Sequence, residues 1–229
     1  MIIKGFIKNS LVDYPGKISS VIFVAGCNFR CGYCYNRHLV LNDKDIPEIR
    51  KEDILGYLRD KKKWIDAVVI CGGEPLLYDL EDFIIKIKKL GYLVKIDTNG
   101  SMPVTLKNLL DRKLVDYVAM DIKATWENYS KIAGVDVDLE KIKESIRIIK
   151  ASGVDYEFRC TILPEFNVND IIRIAKMLNN PKKLCLQQFK PVTTIDENYL
   201  KKKPKSIEEL KHLKDILKDY AEKIILRGV

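Results

Sequence analysis

The chain lacks any run of apolar residues approaching the ~20 that a membrane-spanning helix needs. It also lacks a secretory start: Met1-Ile2-Ile3-Lys4-Gly5-Phe6 breaks for charge at once. A cytosolic location is therefore expected, with no membrane partner. In that compartment six cysteines do not make a disulfide framework. No linker and no low-complexity segment divides the 229 residues, so 1–229 reads as a single domain. A basic stripe interleaved with aromatics is absent too. The net charge of +8 is spread over helices as Lys61-Lys62-Lys63, Lys88-Lys89, Lys182-Lys183 and Lys201-Lys202-Lys203, mixed with acids. That pattern describes a solvated lysine-rich surface, and no nucleic-acid partner is expected.

The most informative lack is a fourth cysteine beside Cys27, Cys31 and Cys34. Their spacing is C-x3-C-x2-C, in the run Gly26-Cys27-Asn28-Phe29-Arg30-Cys31-Gly32-Tyr33-Cys34-Tyr35-Asn36. Four thiolates would close a zinc or iron–sulfur site. Three leave one iron of a cubane cluster without a protein ligand, open to a second molecule. Cys71, Cys160 and Cys185 are scattered and read as small buried hydrophobes.

Short apolar runs alternate with amphipathic stretches. Strands are expected at 19–25, 67–71, 93–97, 117–121, 156–162 and 184–189, rich in Val and Ile and with little alternation. Asp79 is placed to cap a helix that buries Phe83, Ile84 and Ile87 and stops before Gly91. Leu139, Ile142, Ile146 and Ile149 form the inner stripe of another, closed by Gly153. Ser206 and Glu209 make a capping box for a last helix with Leu210, Leu213, Leu217 and Ile224 on its apolar face. Six β-then-α units imply a parallel sheet. Periodicity leaves two architectures open, a doubly wound sheet and a curved partial barrel.

Each expected strand ends in an unusual group: the cysteine loop, Cys71-Gly72-Gly73-Glu74-Pro75, Asp97-Thr98-Asn99-Gly100, Met120-Asp121-Ile122-Lys123, Glu157-Phe158-Arg159, and Gln187-Gln188-Phe189-Lys190-Pro191. Any one of them alone is ordinary turn chemistry. Together, at the carboxyl edge of a parallel sheet, they form a candidate site. An open iron accepts a chelating amine and carboxylate. Gly72 and Gly73 let the backbone approach such a ligand, Glu74 suits its ammonium, and Lys123 and Arg159 suit its carboxylate. Tyr33 is placed to lie against a flat ring. Asp97 and Asp121 are near enough in strand order to share a hydroxyl pair or a small cation.

With an aromatic before the last cysteine and Gly-Gly-Glu-Pro at the next strand end, the chain resembles the radical S-adenosylmethionine superfamily. Leu11-Val12-Asp13-Tyr14-Pro15-Gly16-Lys17-Ile18, Asp97-Thr98-Asn99-Gly100 and Met120-Asp121-Ile122-Lys123 narrow the resemblance. They are similar to the small activating enzymes of glycyl radical proteins, of the anaerobic ribonucleotide reductase and pyruvate formate-lyase types. The likeness runs from about Ser10 to Pro191. It implies an α/β fold, a partial (βα)6 TIM-like barrel, which settles the architecture. It implies a [4Fe–4S] cluster on Cys27, Cys31 and Cys34, with S-adenosylmethionine on the fourth iron. Tyr33, Cys34 and Tyr35 would lie at the adenine, and Gly72, Gly73 and Glu74 at the methionyl ammonium. Asp97, Thr98, Asn99, Asp121 and Lys123 would face the cofactor, with Asp97 beside a cation, and Arg159 would reach the carboxylate or ribose. Tyr35 stands where the family often has His, and the last strand end carries no His to offer the cofactor.

The expected activity is reductive cleavage of S-adenosylmethionine and formation of a glycyl radical on a partner protein, an anaerobic ribonucleotide reductase. A reductant such as flavodoxin or ferredoxin would supply the electron. One alternative keeps the cofactors and changes the substrate to a small molecule, as in deazapurine synthesis. Another is a non-catalytic metal or electron-transfer protein, with zinc or a cluster on the three cysteines and a fourth ligand such as His38.

Overall fold

The computed structural model describes residues 1–41 and 44–229. Eight strands form one sheet in which every strand lies beside its sequence neighbour. They are β1 (Ile3–Ser10), β2 (Ser19–Val24), β3 (Ala67–Gly72), β4 (Leu93–Thr98), β5 (Tyr117–Asp121), β6 (Asp155–Ile162), β7 (Leu184–Gln188) and β8 (Ile224–Arg227). All neighbours pair in parallel except β1, which runs antiparallel to β2. β1 and β8 do not pair, so the sheet is an open barrel with its seam between them. The six expected strands are β2 to β7.

The helices are α1 (Arg37–Val40), α2 (Lys51–Lys61), α3 (Glu81–Lys89), α4 (Pro103–Asp111), α5 (Tyr129–Ala133), α6 (Leu139–Ala151), α7 (Val168–Leu178) and α8 (Ile207–Ile216). They begin and end much as the sequence directs. The Ser206–Glu209 capping box of α8 forms in both directions, and Asn167 and Asp170 build a second on α7. Leu80 takes the N-cap position of α3, one residue later than expected, while Asp79 Oδ1 still accepts the Glu81 N–H at 3.2 Å. Ile142, Ile146 and Ile149 are buried on α6.

Two flanking strands were not anticipated. β1 carries Lys4, Gly5, Lys8 and Asn9 among its apolar residues and is exposed over Ile7-Lys8-Asn9, as an edge strand can be. Ile224, expected on the last helix, instead starts β8 and pairs with Leu184. α8 ends eight residues earlier because the chain turns through 217–223 to reach the sheet.

The expected lack of alternation also needs correction. Val94 and Ile96 pack under the helices, whereas Lys95 and Asp97 face the lumen; Phe158 and Cys160 pack outward, whereas Glu157 and Arg159 face in. On β4 and β6 the lumen is thus lined with charge at alternate residues, and β5 adds Asp121 at its end. Near the amino ends of the strands it is closed by a smaller apolar group of Tyr14, Val21, Ala67, Val69, Tyr117 and Ala119, with the Tyr14 and Tyr117 rings 5.5 Å apart. Tyr14 belongs to the Asp-Tyr-Pro-Gly segment, so one role of that segment is to plug the barrel floor.

Candidate active site

The carboxyl ends of β2 to β7 surround a cavity of about 730 Å³ lined by every candidate residue, from Cys27 to Arg159. Distance in sequence is no obstacle, because parallel strands in register deliver their ends to one edge.

The cysteine loop is clasped on several sides by backbone. Gly73 N–H donates to Val24 O and Glu74 N–H to Gly26 O, each at 2.8 Å. Arg30 N–H donates to Ala133 O at 2.8 Å, and Asp196 N–H donates to Gly32 O at 2.9 Å. These approaches leave no room for side chains. A Cβ on Gly73 would lie 1.8 Å from Gly26 O, and one on Gly72 would lie 2.6 Å from Val24 O at a φ of +107°. A Cβ on Gly134 would come 2.2 Å from Arg30 O. The glycine pair was expected to admit a ligand. The structure shows a prior need, since without glycine there β3 and the cysteine loop could not meet.

Glu74 was expected to receive an ammonium. It is 1% exposed, and its carboxylate accepts Leu76 N–H at 3.1 Å and Thr98 Oγ1–H at 2.8 Å on Oε1, and Asn99 N–H at 2.6 Å on Oε2. Glu74 and Thr98 are therefore a brace between the ends of β3 and β4. Burial pushes the Glu74 carboxyl up to about 7 even with these three donors. Asn99 continues the brace: its Nδ2 donates to Asn28 Oδ1 at 2.9 Å, and Asn28 Nδ2 donates to Ser101 Oγ at 2.9 Å.

A cubane cluster fits the cysteine loop on the chemistry of the donors. Phe29 N–H lies 3.3 Å from Cys27 Sγ and Asn99 Nδ2 lies 3.7 Å from it, so hydrogen-bond donors that favour a thiolate are already aimed at that sulfur. Burial pushes the free Cys27 thiol up to about 12, with the Glu74 charge adding to it, and burial raises Cys31 and Cys34 too. Such thiols ionise when a metal centre compensates them. Among the described residues no three His, Cys, Asp or Glu side chains converge on a single ion. A cubane, with its irons at separate corners, does not need them to. His38 is exposed on α1 and does not line the cavity.

The opposite wall is built of charge. Arg159 Nη1 meets Asp97 Oδ2 at 2.6 Å and its Nε meets Asp121 Oδ1 at 2.7 Å. Lys95 Nζ meets the remaining Asp97 oxygen at 2.5 Å, and Lys123 Nζ meets the remaining Asp121 oxygen at 3.1 Å. Burial opposes both carboxylates, but the Arg159 guanidinium, with Lys95 at Asp97 and Lys123 at Asp121, holds both below the usual range. Where a small cation was expected between Asp97 and Asp121, the chain's own cations meet each carboxylate oxygen. Deeper in the lumen Glu157 is fully buried and pairs with Arg227 through two hydrogen bonds of 2.6 and 2.9 Å, with Tyr117 OH donating to it at 3.3 Å. Lys95 and Arg227 escaped the reading of the sequence, whereas Glu157 was seen beside Arg159 in the fifth strand-end group but its partner was not.

Tyr33 is buried in the cysteine loop, its ring 6.1 Å from that of Tyr199, while Tyr35 is 62% exposed at the cavity mouth. Gln187 lines the cavity at the end of β7, where no histidine stands.

Comparison with known proteins agrees with this geometry. The family model described as the radical SAM superfamily matches residues 21–178. A Methanocaldococcus jannaschii protein provisionally named a glycyl-radical enzyme activating enzyme is 36% identical over all of this chain and 96% of its own. The pyruvate formate-lyase-activating enzyme of Clostridium pasteurianum is 31% identical over 77% of this chain and 78% of its own. A 7-carboxy-7-deazaguanine synthase of Clostridium acetobutylicum is 34% identical over 67% of this chain and 69% of its own. Streptococcus suis SuiB, solved with S-adenosylmethionine, superposes with a TM-score of 0.72 at 18% identity over 91% of this chain, which spans 50% of the SuiB chain. This chain belongs to the radical SAM superfamily, as an enzyme of partial TIM-barrel fold whose cofactors are a [4Fe–4S] cluster and S-adenosylmethionine.

Proposed function

We propose that this enzyme installs a glycyl radical on a partner protein, an anaerobic ribonucleotide reductase being the expected one, with a flavodoxin- or ferredoxin-type protein as reductant. The cluster and S-adenosylmethionine supply a 5′-deoxyadenosyl radical when bound. Cys27, Cys31 and Cys34 would hold the cluster. Lys123 and Arg159 would orient the cofactor's carboxylate with their unused N–H groups, and Tyr33 and Tyr35 would border its adenine. Asn99 and Glu74 would keep the cysteine loop in place.

The observation that carries the reading is the mouth of the cavity. Val12, Tyr35 and Val192 line it and are 77%, 62% and 74% exposed. Apolar groups around an open entrance are suited to cover by another protein surface more than to a freely diffusing polar metabolite. The full-length likeness to an activating enzyme supports the same choice. Glycine suits the chemistry, because a backbone radical there is stabilised by amides on both sides and no Cβ shields the hydrogen.

The test mixes reduced, cluster-loaded protein anaerobically with S-adenosylmethionine and candidate glycyl radical proteins. A doublet radical signal should appear on the partner and vanish when the partner's glycine is replaced by alanine. Stoichiometric consumption of a purine-like small molecule, with no radical on any partner, would support the deazaguanine-synthase likeness instead.

A further inference from the structure

The charged wall raises a question about the cofactor's carboxylate. In the sequence, Asp97 and Asp121 looked suited to share a small cation, which would in turn meet that carboxylate. In the folded chain three cations converge on these two anions: Lys95 and Arg159 on Asp97, Arg159 and Lys123 on Asp121. The Lys95 side chain is 2% exposed and that of Arg159 is 12% exposed, so neither pair is a solvated surface contact. A metal ion added among them would face three fixed positive charges in a place of low polarisability. The group already carries one surplus positive charge. Arg159 uses two of its five N–H donors on the two carboxylates, and Lys123 has donors to spare.

We propose that Lys95 is a built-in substitute for an inorganic cation at this wall. With Lys95 on Asp97, Arg159 and Lys123 can take a carboxylate of the cofactor directly, with no metal ion between. Lys95 does not touch the cofactor; it is a positioning residue that acts through Asp97 and Arg159. The proposal rests on S-adenosylmethionine occupying the cavity.

The experiment uses the full chain with its cluster reconstituted, dialysed into N-methylglucamine chloride, sodium chloride or potassium chloride at equal ionic strength. S-adenosylmethionine affinity is measured by calorimetry, and the melting temperature of the ligand-free protein by fluorescence. For the wild type, affinity should vary less than about twofold among the three salts and the melting temperature should not respond to the cation, as small exposed-charge effects are screened alike. Lys95→Met keeps most of the buried stem but leaves one Asp97 oxygen unpaired. It should lose about tenfold in affinity in N-methylglucamine and melt earlier, and sodium or potassium should restore both. The melting-temperature rescue separates cation replacement from a generally damaged fold, which no small cation would repair. Wild-type affinity that collapses in N-methylglucamine and returns with potassium would overturn the proposal. So would a Lys95→Met protein indifferent to sodium and potassium. Absence of binding in every salt would instead overturn the placement of the cofactor in this cavity.

Discussion

The two walls of the cavity are held by different forces. On the β2–β3 side the fit is steric. Gly72, Gly73 and Gly134 let backbone touch backbone around the cysteine loop, main-chain hydrogen bonds clasp it, and the neutral amides of Asn28 and Asn99 with the Glu74 carboxylate brace it. On the β4–β6 side the fit is electrostatic. Asp97, Asp121 and Arg159 come from three adjacent strands and are joined by short ion pairs, with Lys95 and Lys123 at either end. The steric wall adapts little, because both partners of each of its tightest contacts are main chain. The charged wall can exchange one cation for another. A cluster requires fixed thiols, whereas a ligand that arrives and leaves requires donors already oriented but not saturated.

This contrast predicts its largest effect at Gly73. Gly73→Ala sets a methyl group against the Gly26 carbonyl carbon and oxygen, both backbone. It should destabilise by about 4 kcal/mol or more and abolish stable iron incorporation, measured by chemical denaturation and by iron content after reconstitution. Normal iron content in that variant would show that the loop can move, and the steric account of this wall would be wrong.

A smaller loss is expected on the charged wall. Asp121→Asn leaves Arg159 Nε and Lys123 without their anion and should cost roughly 3 kcal/mol, as when one partner of a buried pair is removed. Iron content should survive. The pH dependence sharpens the test. Asp97 and Asp121 are held below their ordinary value of 3.8 by Arg159 and the two lysines, against the opposing effect of burial. The native state therefore binds these protons less readily than the unfolded chain. Their contribution is complete above about 3.8 and is lost as the pH falls through their depressed folded values. Acid denaturation curves should be steeper for the wild type than for Asp121→Asn in that range; identical slopes would remove Asp121 from the acid response.

The smallest effect isolates conformation from contact. Gly153, at the end of α6, has a φ of +76°, but among the described residues no atom beyond its chain neighbours lies within 4 Å of the place a Cβ would take. Gly153→Ala should cost only about 1 kcal/mol, the strain of a left-handed backbone alone. Gly73 has no such φ, so a melting temperature for Gly153→Ala as low as that of Gly73→Ala would mean that the Gly26 contact costs no more than left-handed strain, and the steric account would fail.

Much of the candidate site could be read from the chain before folding. Cys27, Cys31 and Cys34 announce themselves by spacing, and Gly72-Gly73, Asp97-Thr98-Asn99 and Asp121-Ile122-Lys123 by standing where apolar strands end. Helix ends were legible for a local reason, since a box such as Ser206–Glu209 needs only its own four residues. β8 was not legible, because Ile224 continues the helical spacing of Leu210, Leu213 and Leu217 and only pairing with β7 turns it into a strand. β1 was hidden by its polar, edge-strand composition. Lys95 and Arg227 were hidden, and Glu157 was seen without its partner, because a charge inside a strand looks like noise until the group it meets is known.

What the sequence by itself determined is whatever depends on near neighbours: three thiols with a vacant fourth place, the order of β and α units, glycine where no side chain is tolerated. What only the tertiary structure decided is who meets whom. Glu74 could have faced a ligand, yet it bonds to Thr98 and Asn99. Asp97 could have held a metal ion, yet it holds Lys95, two residues away on the same face of its strand, and Arg159, 62 residues away. Charge fixes that these groups need partners, but a hydrogen-bonded ion pair closes only over about 3 Å, and only the register of β4, β5 and β6 brings the right atoms within that reach.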